Sequence, residues 1–312
     1  MASGLLNSHV KMTFQQTIKK QVAFEGIGLH SGRPTKIVIS PAGPNAGVLF
    51  HVVGHTIAIP ALSSSVVDSH YATTLGANGT RVQTVEHLMA AAAGLGIDNL
   101  DIKVDGAEVP AADGSAQPFV SLLRSAGRMT LGARRQPLVI SRPIRVGTES
   151  RWLQVLPCDT FRISYTLDST HPAVGTQVIS CEPTEETFVG ELAPARTYGF
   201  LKDVDELRRN GLAQGGSLDN AVVVGKRSVL NQLRYRDEFV RHKILDLIGD
   251  LALLGRPVQG HVIARNAGHA LNFQLVTALE QAYGAPRRAA SPARELIPRA
   301  ADLTPAPGFA AL

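Results

Sequence analysis

The chain is poor in cysteine and in aromatic residues, and it has no long apolar run. Cys158 and Cys181 are its only cysteines, and their spacing fits neither a disulfide framework nor a cysteine-rich zinc site. Any bound metal would therefore be held by His, Asp or Glu. No stretch of about 20 apolar residues could span a membrane, and residues 1–12 lack the charged and apolar regions of a signal peptide. These absences predict a protein of the reducing cytoplasm without membrane-spanning helices.

Positive charges exceed negative charges by five, and part of this excess lies in a Pro- and Ala-rich segment near the end of the chain. We predict a disordered tail over residues 286–312 and a flexible tail over residues 1–12. The excess charge fits a solvated surface, or attraction to phosphates or to an anionic membrane face. Because aromatic residues are not interleaved with the basic ones, the pattern argues against nucleic-acid binding. The arginines of the C-terminal segment are Arg287, Arg288, Arg294 and Arg299.

Strand-like segments precede helical segments in both halves of the chain. In the first half, alternating apolar residues near positions 17–53 predict hairpins, and an Ala-rich segment near 84–96 predicts a helix. In the second half, strand-like segments between 137 and 168 precede helices predicted over about 237–254 and 269–284. This order favours an α+β fold over a doubly wound βαβ sheet. We expect an N-terminal domain over 13–133 and a C-terminal domain over 134–285, whose coarse similarity would fit a diverged duplication.

The segment 237–254 carries the clearest local signal for a site. On a helix, His242, Asp246 and Asp250 share one face at successive i, i+4 positions. Gly249 lies near this stripe, where the missing side chain would allow a close approach. A His and an Asp one turn apart can bind one metal ion, although an ordinary solvated face would give the same pattern. The opposite, apolar side is formed by Ile244, Leu247, Ile248, Leu251 and Leu254.

Two further histidines are candidates for the same site. Glu86 and His87 are adjacent on the Ala-rich helix, where the His could be a third metal ligand and the Glu a base on metal-activated water. Neither HExxH nor HxxEH is present, and a packed helical histidine would also explain the pair. Three protein ligands would leave a fourth position for water, as in catalytic zinc sites. His269 opens the last predicted helix, where it could pair with Asp250 or serve only in packing.

Seven segments, spread over about residues 17–275, together resemble one known family. They are GIGLHSG, VEHLMAAAAGLGIDN, EVPAADGSAQPF, ARTYGF, GGSLDNAVV, EFVRHKILDLIGDLALLG and GHALN. The chain is similar to the UDP-3-O-acyl-N-acetylglucosamine deacetylases, the zinc amidases of bacterial lipid A biosynthesis. The resemblance implies two α+β domains of similar topology, with helices lying between two sheets and the metal site at their junction.

The resemblance also implies roles for individual residues. The zinc ligands would be His87, His242 and Asp246. Glu86 would be the general base on zinc-bound water, and His269, paired with Asp250, would be the general acid. Thr197 would hold the oxyanion, and its hydroxyl is of a type suited to that task. Iron(II) could replace zinc in the cell.

The implied substrate is UDP-3-O-acyl-N-acetylglucosamine, which would lose its 2-acetyl group as acetate. Phe200 and Lys243 would contact its sugar and phosphate groups. The fatty acyl chain would lie in a passage lined by five residues, Val204, Ala213, Gly216, Ser217 and Val223. We expect a cytoplasmic, Gram-negative bacterial enzyme that is a monomer, binds no nucleic acid and makes at most peripheral contact with the inner membrane.

Two other functions fit parts of the pattern. A zinc peptidase would use the same ligands, but the absence of HExxH counts against it. A non-enzymatic module that binds nucleotide sugars could carry the His/Asp group as a structural metal site. Structural zinc sites are usually closed by four protein ligands, whereas the sequence offers three good candidates.

Overall fold

The structure, a computed structural model, describes residues 13–285. The two predicted tails, 1–12 and 286–312, lie outside the described residues. Cys158 and Cys181 are not bonded to each other or to another cysteine. Within the described range, no helix is both long enough and apolar enough to cross a membrane.

The first half of the chain forms three sheets and two main helices. Its elements are β1 Phe14–Ile18, β2 Val22–Ile27, β3 Pro34–Pro41, β4 Val48–Val52, β5 Ala58–Pro60, β6 Val66–Asp68, β7 Thr74–Ala77, β8 Thr80–Val82, α1 Glu86–Gly94, β9 Leu100–Asp105, α2 Gln117–Ser125 and β10 Arg128–Arg134. The main sheet has the order β2–β3–β9–β4–β5, while β1 pairs with β10 and β6–β7–β8 form a small sheet. Alternation in β3 buries Thr35, Ile37 and Ile39 on the inner face.

The second half forms a second large sheet and the remaining helices. Its elements are β11 Leu138–Val139, β12 Ile144–Gly147, β13 Trp152–Leu156, β14 Phe161–Asp168, β15 Thr176–Cys181, α3 Glu185–Thr187, β16 Tyr198–Phe200, α4 Leu201–Arg209, β17 Val222–Val224, α5 Glu238–Leu251, β18 Val258–Arg265 and α6 His269–Tyr283. The large sheet has the order β12–β13–β18–β14–β15, with β11 added beside β18, and β16 pairs with β17. A π-helical turn, Phe188–Leu192, follows α3.

The two large sheets share one topology. In each, the last strand is inserted between the second and third, and it pairs antiparallel with the second and parallel with the third. The other neighbours, β2–β3, β4–β5, β12–β13 and β14–β15, are antiparallel. The prediction of an α+β fold with two units of similar topology is confirmed. The boundary at residues 133 and 134 stays a prediction.

Helices from the two halves pack against each other. α1 contacts α5, while α5 and α6 also contact strands of the second sheet and α2 contacts β2 of the first. The Ala-rich sequence favours α1, and Gly96 adopts a left-handed conformation (φ 64°) just after the helix ends at Gly94. α5 covers most of the range predicted for it and continues as a 3₁₀ turn, Ala252–Leu254. The contact between α1 and α5 positions the candidate site.

Candidate metal centre and active site

α1 and α5 bring the three predicted metal ligands together. The Oδ1 atom of Asp246 lies 3.2 Å from Nε2 of His242 and 3.6 Å from Nε2 of His87. One donor atom from each residue lies within 4.8 Å of the others. All three side chains are buried. The donor atoms of His242 and Asp246, one turn apart on α5, and of the distant His87 therefore lie close together.

The chemistry of these donors fits a metal ion. Asp246 Oδ1 is buried and has no hydrogen-bond partner, which is costly unless a cation binds there. The carbonyl of Ala195 can only accept, so Nδ1 of His242 donates to it over 3.1 Å and leaves Nε2 as the potential ligand. Burial lowers the pKa of His87, which favours the neutral, ligating imidazole. Two imidazole nitrogens and one carboxylate oxygen are typical of catalytic zinc.

Lys243 fixes the orientation of the Asp246 carboxylate. Its Nζ donates to Asp246 Oδ2 over 2.8 Å, so Oδ1 is the oxygen that faces the two histidines. Although burial raises it, the interactions with His242 and Lys243 hold the pKa of Asp246 well below its usual range. Asp246 therefore offers a carboxylate rather than a carboxylic acid to a metal.

Glu86 and His269 lie across from each other beside the metal ligands. Glu86 Oε2 accepts the backbone N–H of Thr73 over 3.0 Å, and its Oε1 lies 4.0 Å from Nε2 of His269. The Nδ1 atom of His269 lies 2.8 Å from Oδ2 of Asp250, the partner that the family resemblance implied. The remaining ring nitrogen, Nε2, is 3.9 Å from Asp246 Oδ2 and faces the centre of the site.

The environment shifts the pKa values of these two groups in a direction that suits acid–base catalysis. Burial raises the pKa of Glu86 to about 7, so this carboxyl can exchange a proton near neutral pH. Burial lowers the pKa of His269, but the carboxylates of Asp250 and Asp246 outweigh it and raise this pKa to about 9. At neutral pH His269 is therefore protonated and can donate from Nε2.

Thr197 lies in the segment that supports the metal ligands, two residues after the Ala195 carbonyl that holds His242. Its backbone N–H donates to the Gly114 carbonyl and its own carbonyl accepts from Val222, each over 2.8 Å. The next strand, β16, begins at Tyr198. These contacts fix the backbone of Thr197, and its contact with an oxyanion stays a prediction.

The two residues predicted to bind sugar and phosphate lie near the metal ligands or near aromatic neighbours. Lys243 Nζ is 5.7 Å from the ring centre of Tyr198. The Tyr198 ring in turn lies 6.4 Å from the ring of His242. Phe200 packs edge-on against His171, with ring centres 5.4 Å apart. Their contacts with a substrate stay predictions.

The residues predicted to line an acyl passage belong to α4, β17 and the loop between them. This loop packs against the GIGLHSG loop of the first half, because Gly215 N–H donates to the Leu29 carbonyl over 3.0 Å. A Cβ at Gly215 would collide with the carbonyl of Gly28. Ala213 has a positive φ of 52°. The predicted lining, which stays a prediction, is Val204, Ala213, Gly216, Ser217 and Val223.

Three contributors to the site were missed by the sequence analysis. Besides its bond to Glu86, Thr73 donates from its hydroxyl to Asp250 Oδ1 over 2.6 Å. Asn272 donates to Asp250 Oδ2 over 2.8 Å, and it lies one helical turn after His269, a spacing that could have indicated it. Thr73 follows no recognisable pattern, and Ala195 acts through its backbone carbonyl.

Comparisons with known proteins show which family the chain belongs to. The model of the LpxC family, described as UDP-3-O-acyl N-acetylglycosamine deacetylase, matches residues 15–281. A protein of Syntrophotalea carbinolica named UDP-3-O-acyl-N-acetylglucosamine deacetylase is 48% identical over 269 residues, covering 85% of this chain and 87% of its own. Its namesake in Myxococcus xanthus is 48% identical over 266 residues, covering 84% and 85%. The chain belongs to the LpxC family of deacetylases.

Proposed function

We propose that the protein removes the 2-acetyl group of UDP-3-O-acyl-N-acetylglucosamine by zinc-dependent hydrolysis. The products would be acetate and UDP-3-O-acyl-glucosamine, in the committed step of lipid A biosynthesis. The relatives' names support the substrate. The observation that carries the chemistry is that Glu86 and His269 face each other beside three buried metal donors.

The residues that would hold zinc are His87, His242 and Asp246. When bound, the ion supplies Lewis-acid catalysis, lowering the pKa of a water molecule and stabilising negative charge on the acetamide oxygen. Within residues 13–285, no fourth His, Cys, Asp or Glu joins the donor group, which favours a catalytic over a closed structural site. The same nitrogen and oxygen donors could bind iron(II).

Side chains of the protein would transfer the protons. Glu86 Oε1, held opposite His269, accepts a proton from the attacking water. His269 then donates its Nε2 proton to the departing amine nitrogen, while Asp250 stabilises the imidazolium from the other side of the ring. Thr197 would donate a hydrogen bond to the oxyanion. The C–N bond of the amide breaks, and water supplies the hydroxyl of acetic acid. The proton that Glu86 took from water then returns to His269, which restores both groups.

The substrate's remaining parts would occupy the surroundings of this site. Lys243 and Phe200 would contact its sugar and phosphate groups, and the passage between α4 and β17 would receive the acyl chain. We further propose that the enzyme works as a monomer in the cytoplasm and contacts the membrane only peripherally. The unpaired cysteines support a reducing compartment.

Deacetylase assays of Glu86→Gln and His269→Gln proteins test the acid–base assignment. Both substitutions keep the approximate shape of the side chain, so zinc content should stay at the wild-type level while kcat falls roughly 10²- to 10⁴-fold. Exposed Glu149→Gln is the matched control and should keep wild-type turnover. If both site variants retain full turnover with zinc bound, the assignment is wrong.

A metal analysis tests the ligand set separately. Asp246→Ala removes the carboxylate that is buried between the two histidines, so zinc content after dialysis should fall sharply from that of the wild type. Undiminished zinc in this variant would remove Asp246 from the ligands. A peptide-cleavage screen distinguishes the zinc peptidase, and a zinc-loaded protein that binds nucleotide sugars without turnover would support the non-enzymatic module.

A further inference from the structure

A basic segment follows β17, the strand that carries Val223 of the predicted acyl passage, and leads to α5. Residues 226–236 include four cationic and no acidic side chains. Arg234 is bound to Asp113 over 2.8 Å, whereas Lys226 and Arg227 are exposed and have no ion pair within the described residues. The turn is well defined, because Gly225 N–H donates to the Ser228 carbonyl over 2.8 Å. It therefore holds two unpaired cations at its tip.

Three exposed leucines lie close to this segment in the chain: one begins α4, one precedes β17 and one follows β17. Leu230, Leu218 and Leu201 have 52%, 50% and 50% of their surface exposed. The side chain of Asn231 donates to the Leu218 carbonyl over 2.9 Å, which ties the segment before β17 to the residue after Leu230. Leu201 follows Phe200, whose partner in the β16–β17 pair is Val224, directly before the turn.

This unit is continuous with the predicted passage. Leu230 N–H donates to the carbonyl of Val223 over 2.9 Å, and Val223 N–H donates to the side chain of Asn231 over 3.1 Å. Val223 is one of the residues predicted to line the passage. A surface that carries exposed leucines and cations therefore adjoins Val223 of the predicted acyl passage.

We propose that the turn 225–230, with Leu218 and Leu201 beside it, docks on a bilayer that contains anionic phospholipid. Exposed leucines can enter the apolar edge of the headgroup region, and cations near an anionic surface each strengthen binding roughly fivefold. α4 carries three acidic and three basic side chains and so has no net charge. Residues 226–236 carry four basic and no acidic side chains, so the turn is the part that an anionic surface attracts. The physiological meaning rests on the proposed function, since docking would bring the passage to the membrane that holds acylated substrates and products.

Vesicle cosedimentation with the full-length protein tests this surface. The probes are vesicles of phosphatidylcholine alone and of phosphatidylcholine mixed with phosphatidylglycerol. Wild-type protein should bind the mixed vesicles, more weakly as salt rises, and should not bind phosphatidylcholine alone. The double variant Lys226→Glu/Arg227→Glu should bind at least about tenfold more weakly. Leu230→Ser should weaken binding without changing its salt dependence.

Matched controls separate this surface from general charge effects. Lys19→Glu/Lys20→Glu makes the same change of charge on exposed residues of the first half, and Val53→Ser removes a comparably exposed apolar side chain. Both should bind like the wild type. The proposal is overturned if wild-type protein ignores the mixed vesicles, or if the turn variants bind them normally. It is also overturned if neutralising the C-terminal arginines, by Arg→Gln at 287, 288, 294 and 299, alone abolishes binding.

Deacetylase turnover without vesicles separates this proposal from the proposed function. The turn variants should keep wild-type turnover, which also shows that they are folded. Normal turnover with unchanged vesicle binding in Lys226→Glu/Arg227→Glu defeats the docking surface alone. Vesicle binding that depends on the turn, in a protein without deacetylase activity, defeats the proposed function and leaves the docking surface standing.

Discussion

A single buried threonine connects the two groups proposed to move protons. The backbone N–H of Thr73 holds one oxygen of Glu86, and its hydroxyl donates to Asp250, which in turn pairs with His269. Asn272 shares the same carboxylate. Asp250 thus has three partners that fix its orientation. Of these, Thr73 also donates a hydrogen bond to Glu86, the proposed base.

Replacing Thr73 by Val should lower kcat about 10- to 100-fold with little change in KM. Valine has nearly the same shape but lacks the hydroxyl, so Asp250 loses a hydrogen bond and His269 is held less firmly. The backbone bond to Glu86 remains. Steady-state kinetics together with zinc analysis measure the effect, and Thr73→Ser should restore most of kcat. If Ser fails to rescue a correctly folded, zinc-loaded enzyme, Thr73 serves only in packing.

The sequence could indicate some of these residues and not others. The i, i+4 spacing of His242, Asp246 and Asp250 is a local property of one helix, and in the structure the donor atoms of the first two lie 3.2 Å apart. The distance from that helix to His87 depends on how two halves of the chain pack, so only the family resemblance could join them. The contribution of Thr73 is partly a backbone N–H, which any residue would supply.

At the scale of elements, the close approach of α1 and α5 depends on one glycine. A Cβ at Gly249 would collide with the backbone carbonyl and Cα of Glu86. This contact places the start of α1, with its base and one metal ligand, against the α5 stripe. The sequence predicts a close approach at Gly249, and the group that approaches is the backbone of Glu86.

Gly249→Ala should destabilise the protein and lower its zinc affinity. Ala in a helix is normally more favourable than Gly by about 1 kcal/mol, so a loss of stability would report the steric clash and not helix propensity. A cost of roughly 1–3 kcal/mol is expected from overpacking, measured by urea unfolding. Gly190→Ala, in a helical turn where a Cβ meets nothing within 4 Å, is the matched control. Equal stability of both variants would contradict the role assigned to Gly249.

The sequence pattern of α5 does not decide whether the polar face of this helix is solvated or buried. His242, Asp246 and Asp250 are all buried, so the alternative of a solvated face is wrong. Amphipathic periodicity separates polar from apolar positions, but it cannot reveal whether water or another helix covers the polar side. Here α1 covers it. Burial raises the pKa of Glu86, and burial opposes the rise in the pKa of His269 that the carboxylates of Asp250 and Asp246 produce.

At the scale of the whole molecule, the order of elements along the sequence could not predict the sheet topology that the two halves share. Strand-then-helix order in each half correctly predicted an α+β fold. It could not reveal that β9 and β18, each the last strand of its sheet, insert between earlier neighbours, because such pairings join residues far apart in the chain. Each insertion creates a parallel pair, β9 with β4 and β18 with β14, and in the second sheet the short β11 is also parallel to β18.

Stability of the whole molecule should depend on a buried ion pair next to the site. Glu238, at the start of α5, is fully buried and accepts from Arg196 Nε over 2.9 Å and from the backbone N–H of Arg196 and Arg234. Arg196 stands between Ala195, which holds His242, and Thr197. Burial raises the pKa of Glu238, but the bonds from Arg196 and Arg234 outweigh it and lower this pKa below its usual value.

This pair should make the protein sensitive to acid. Because the folded pKa of Glu238 is depressed, the unfolded chain binds more protons below about pH 4.3, and stability present at neutral pH is lost as pH falls through the folded pKa. Glu238→Gln leaves Arg196 buried without its counter-charge and should cost roughly 3–5 kcal/mol at pH 7. This difference in the free energy of unfolding should become smaller towards pH 3, because protonation of Glu238 removes its stabilising contribution to the wild type. Urea unfolding of both proteins across this range measures it, with exposed Glu25→Gln as a control that should change little. Parallel loss of stability in wild type and Glu238→Gln would show that this carboxylate does not titrate as its buried contacts require.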